Sequence, residues 1–195
     1  MVLGATLTLF HLGNAAMLPL LGQAVVARGS DPSAYTAATI IVAQATMVPM
    51  ALFAARLAEE RGYWLVFLLA LIALPIRGAT ASLVTGPWGL GPVQILDGVG
   101  AGILGVAGPG LVARILAGTG HVNAGLGVVM TLQGVGAALS TTVGGLFAQR
   151  LGYSAAFLAL GAIAAAALAL WLLARPFMAP ACANHTDDAE SEPAA

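Results

Sequence analysis

The sequence predicts an all-α membrane protein of six transmembrane helices, arranged as two inverted three-helix repeats. Three observations carry this. First, hydrophobic residues make up 59% of the 195-residue chain and charged residues only 8%, against roughly 25% charged in a soluble domain. With a mean hydropathy of +0.95, the apolar surface exceeds what one water-soluble core can hide. Second, charges and turn residues cut the chain into six apolar stretches. Third, one segment recurs at a constant offset of 90 residues.

The stretches lie near 2–27, 36–56, 63–85, 90–113, 122–149 and 153–174. Each is about 20 residues or longer, enough to cross a hydrocarbon core of roughly 30 Å at about 1.5 Å per residue. The first lacks a basic leader and is too long for the apolar region of a signal peptide, so it reads as a span. The connections are short and polar, as in "ARGSDPSAY", "RLAEERGYW" and "RILAGTGHVNAG". Tyr35, Tyr63, Trp64, Trp88, Tyr153 and Trp171 fall near span ends, where aromatic belts form. Residues 175–195 close on "NHTDDAESEPAA" and read as a disordered acidic tail.

An inward N-terminus places Arg56, Arg61, Arg114 and Arg175 on the cytoplasmic side, with Arg28 and Arg150 outside and Arg77 within the membrane. The positive-inside rule favours that orientation. In the repeat, "LAEERGYWLVFLLAL" (57–71) aligns with "FAQRLGYSAAFLALG" (147–161). Ala58, Gly62, Tyr63, Phe67 and Leu68 match Ala148, Gly152, Tyr153, Phe157 and Leu158. Three spans separate the copies, so they fall on opposite membrane faces, as in inverted-repeat transporters.

At "LAEERG" and "QRLGYSAAFLALGAIAAAALAL" the chain resembles the major facilitator superfamily, in its C-terminal six helices. That family carries a G-x-L-A-D-x-x-G loop. Leu57, Ala58, Glu59 and Gly62 stand in for its L, A, D and last G, with Ala55 replacing the first Gly. "FHLGNAAMLPLLGQ" is similar to the family's seventh helix and "QILDGVGAGILGVAGPGLVA" to its tenth. The resemblance implies one half of a major-facilitator-type bundle, with the first and fourth spans lining a central cavity.

Candidate cavity residues on those two spans are His11, Asn14, Gln94 and Asp97. Asp97 exchanges protons if its surroundings favour the neutral form, and His11 titrates near neutral pH when unperturbed. Interhelical hydrogen bonding is the plainer reading of His11 and Asn14, and Gln44 and Gln133 read as structural for the same reason. Arg77 lies about eight residues, or roughly 12 Å, from the end of its span. Asp97 lies at similar depth on the next, antiparallel span. A charge at mid-membrane costs roughly 2.5–3.5 kcal/mol on insertion scales. Two readings are open: an intramembrane Arg77–Asp97 pair, or an arginine that snorkels to the headgroups while Asp97 faces a watery cavity alone.

Gly98 and Gly102 form a small-xxx-small surface for close helix packing, and Gly105, Gly108 and Gly110 continue the pattern. Pro19, Pro49, Pro75 and Pro109 interrupt four spans and kink them. The net charge of −1 excludes a nucleic-acid footprint. The scattered histidines and the single Cys182 offer no metal-ligand spacing. No enzyme motif and no cofactor site is indicated. The reading is therefore transport of a small solute by alternating access in a bacterial inner membrane, with or without proton coupling. Its partners are the lipid bilayer, the solute and a second six-helix half, a copy of itself or a separate chain. The alternatives are a truncated non-transporting fragment or a polytopic scaffold or accessory subunit.

Overall fold

The structure, a computed structural model, describes residues 1–29, 32–83 and 89–183. Its elements among those residues are all helices: α1 (Val2–Asn14), α2 (Met17–Val26), α3 (Pro32–Arg61), α4 (Tyr63–Leu83), α5 (Leu90–Ile115), α6 (Val122–Leu151), α7 (Tyr153–Leu173) and α8 (Arg175–Cys182). Six stretches are long and apolar enough to cross a membrane, with α1 and α2 together making the first. The chain is a multi-pass membrane protein.

The breaks follow from residue chemistry. Gly62 separates α3 from α4 with φ +74°, and Gly152 separates α6 from α7 with φ +87°. Left-handed φ is strained for any residue with a Cβ, so glycine ends these helices at full length. In consequence α3 continues to Arg61, beyond the span end near 56 that the charges suggest. Between α1 and α2 the cause is Pro19, which has no N–H to give the carbonyl of Ala15 four residues earlier. The helix opens at Ala15–Ala16, and the Ala16 N–H donates instead to Ser140 Oγ on α6 at 2.9 Å.

Packing pairs the helices. α3 lies along α5 and α1 along α6, while α4 packs on α5 and α7 on α1. α4 and α7 join the two groups where Gly78 meets Gly161. A Cβ on Gly78 would lie 2.7 Å from the Gly161 Cα, so the backbones themselves are in contact. The core is buried along α4 and α5, half of whose most apolar windows are enclosed. Only 11% of the α3 window and 6% of the α6 window are enclosed.

Two expectations change here. The acidic tail does not start at 175: Arg175–Cys182 is helical, and Met178 and Cys182 are buried against the bundle. Burial of the apolar side chains of α8 offsets the cost of ordering it, which overall tail composition conceals. The rest of the tail, 184–195, and Trp88 lie outside the described residues. Trp171 is no interfacial residue, since it is fully buried and stacks on Phe67 with ring centroids 4.7 Å apart. Its Nε1–H donates to the Trp64 carbonyl at 3.3 Å, which satisfies the indole's one polar group.

Candidate functional site

Arg77 follows Pro75 by two residues on α4 and is 1% exposed. Its Nη1 lies 2.8 Å from Asp97 Oδ1 on α5, and the Asp97 side chain is 17% exposed. Nη1 also donates to Asn14 Oδ1, at the end of α1. Nη2 donates to Gln94 Oε1 at 3.2 Å, and Gln94 Nε2 reaches the Thr39 carbonyl on α3 at 3.5 Å. Arg77 Nε has no partner among the described residues. One guanidinium thus ties α1, α4 and α5 together, because its donors fan out in a rigid plane. Asp97 balances its charge, so the cluster is formally neutral.

Asn14 belongs to a second feature as well. A cleft of about 380 Å³ opens between α1, α5 and α6. His11 and Asn14 line it from α1, Gly105, Gly108 and Pro109 from α5, and Gln133 from α6. His11 Nδ1 sits 2.8 Å from the Leu7 carbonyl. A carbonyl can only accept, so Nδ1 carries the proton and Nε2 is the free ring nitrogen. A more apolar cavity of about 520 Å³ follows toward the start of α1, with Val129 in both walls.

Among the four cavity candidates, His11 and Asn14 line the cleft, whereas Gln94 is completely buried. Gln94 is a partner of Arg77 and, like Asp97, does not line this cleft. Its three-residue spacing from Asp97 puts both on one helix face, but that face looks toward α4 and Arg77. Gln133, read as structural, faces the cleft, and Gln44 is exposed on α3. The glycines of α5 also divide. A Cβ on Gly98 would lie 2.6 Å from the Ala43 carbonyl of α3, so Gly98 permits close packing as expected. At Gly105 and Gly108 a Cβ would meet nothing within 4 Å. These two serve the cleft instead of a helix contact.

The loop residues Leu57, Ala58, Glu59 and Gly62 sit on the last turn of α3 and its junction. Ala58 and Glu59 border a cavity of about 430 Å³ together with Tyr63 and Arg114. Nearby, Arg175 of α8 lies over the Trp64 ring, 4.9 Å from its centroid. Cys182 packs so close to the junction that a Cβ on Gly62 would strike its carbonyl oxygen. Burial pushes the Cys182 thiol up to about 11.

The sequence model of the Major Facilitator Superfamily matches residues 3–192. The chain belongs to the major facilitator superfamily. Two uncharacterized MFS-type transporters of Mycobacterium tuberculosis, one from strain CDC 1551 / Oshkosh and one from strain ATCC 25618 / H37Rv, are each 42% identical to it over 176 residues. The alignment covers 90% of this chain and 42% of either relative. The chain therefore spans less than half the length of these relatives.

Proposed function

We propose that this chain forms the C-terminal six-helix half of a secondary transporter, which carries a small solute by alternating access across a bacterial inner membrane. The observation that carries the reading is the break in the first span beside the Arg77 cluster and the cleft. Discontinuous helices at mid-membrane are where transporters of this kind hold solute and coupling ion. Asn14 ends α1 at that break, accepts from Arg77 and lines the cleft. Solute held at Asn14 would act on the Arg77–Asp97 pair through a single side chain.

An inverted repeat is supported by details at the same 90-residue offset. Gly62 N–H donates to the Ala58 carbonyl at 3.0 Å, and Gly152 N–H to the Ala148 carbonyl at 3.1 Å. Exchanging α1 with α5, α3 with α6 and α4 with α7 turns each major helix pairing into another that is also present. A static scaffold has no need of that exchange, whereas two related trios can rock against each other.

The second half would cover the cleft and its flanks, α3 and α6, whose Ile41 and Met130 are 67% and 68% exposed. Cysteines at those positions should crosslink in membranes to a second six-helix half, either a copy of this chain or a separate one. A cysteine at Leu158 on α7 should not. Crosslinking through Leu158 alone, or none at any of the three, overturns the reading and favours a non-transporting fragment or accessory subunit.

A further inference from the structure

We infer that the cleft between α1, α5 and α6 takes an uncharged amphipathic molecule, one with an apolar body and a neutral hydrogen-bonding group such as an amide or hydroxyl. The inference rests on the transporter reading and specifies its solute.

The walls decide the body of the ligand. Phe10, Leu104, Leu126, Val129 and Met130 bring large apolar side chains to the lining. About 380 Å³ lies within the range of small-molecule sites, roughly 300–1,000 Å³. Among the described residues no charged side chain lines the cleft. Arg77, which donates to Asn14, lies 2.8 Å from Asp97, and the two charges balance each other. An ion entering from water would shed its hydration with no counter-charge on this wall to receive it, which apolar walls at membrane depth penalise heavily.

The polar groups decide the head. His11 Nε2 is an acceptor in the tautomer that Leu7 selects. Asn14 gives its oxygen to Arg77, so its amide N–H groups remain as donors. Gln133 adds one group of each kind. Pro109 contributes indirectly: it has no N–H for the carbonyl of Gly105, four residues before it. Gly105 has no side chain to cover that carbonyl, and both residues line the cleft. Glycine here is not required by packing, since a Cβ on Gly105 or Gly108 would meet nothing within 4 Å. Each costs a helix about 1 kcal/mol relative to alanine. What the two glycines provide is room and an uncovered backbone acceptor. Donors and acceptors of no net charge, spread over an apolar wall, suit a neutral head on an apolar body.

The test is site protection in membrane vesicles. A cysteine replaces Gly105 in a Cys182→Ala background, and its reaction with a small water-soluble maleimide is timed. Three naphthalene probes of similar size compete: a carboxamide, a carboxylate and an aminomethyl cation. The carboxamide should slow labelling about fivefold at about four times its Kd, as mass action requires, and leave a cysteine at Gly29 unaffected. The two charged probes should change neither rate. A Gly105→Leu variant fills the cleft without a Cβ clash, so it should abolish carboxamide protection of a cysteine at Met130 while the amount of folded protein stays the same. Labelling with equal protection by a charged probe, or with none by the carboxamide, overturns this inference and leaves the transporter reading standing. No labelling at Gly105 at all means that water never reaches the cleft, and both fall together.

Discussion

Arg77 and Asp97 sit on consecutive antiparallel helices with Nη1 and Oδ1 2.8 Å apart, and Arg77 is almost wholly enclosed. Removing one partner strands the other charge in a low-dielectric setting, at a cost on the order of 3–5 kcal/mol. Arg77→Ala and Asp97→Ala should each lower the amount of folded protein in membranes, and the double variant should recover part of the loss. Immunoblots of detergent-soluble protein measure it. Strictly additive losses would mean that the two charges do not depend on each other.

Helical rise put Arg77 and Asp97 at one depth on adjacent spans, which left pairing and snorkelling both open in the sequence, and the structure shows the pair. The six spans were legible, since hydropathy alone marks them. Asn14 as a partner of Arg77 was not, because α1 meets α4 only through the tertiary crossing. Gly98 and Gly105 look alike in sequence, yet one abuts α3 and the other a cleft. Spacing of small residues gives the helix face and not what lies across from it. The helix Arg175–Cys182 was hidden for a different reason, since its few apolar residues are outweighed by the acidic stretch that follows.

The arginine distribution predicts both ends of the chain in the cytoplasm. Reporter fusions after Ala34, Glu60 and Trp88 should read outside, inside and outside. Any other order overturns the orientation.

Gly62 leaves room for the end of α8 to approach the α3–α4 junction. In Gly62→Ala the new Cβ strikes the Cys182 carbonyl, and the left-handed backbone adds about 1–2 kcal/mol of strain. Cys182 should then react with maleimide faster near neutral pH than it does in the unaltered protein. Its thiol is raised from 9.0 to about 11 by burial, so the folded form holds the proton more tightly than the unfolded chain does. The stabilisation from this group is complete below about 9 and is lost as pH rises through about 11. Unchanged labelling in Gly62→Ala would show that α8 does not depend on the junction.

If the Arg77–Asp97 pair and the cleft work as one device through Asn14, a change at the pair is felt at the cleft wall. The direct measurement is the rate of maleimide labelling, at one neutral pH, of a cysteine replacing Met130 in that wall. The rate is divided by that of a cysteine at Gly29, and the samples hold equal amounts of folded protein. The ratio should differ between the otherwise unaltered protein and Asp97→Asn. The same ratio in both proteins would contradict a link through Asn14.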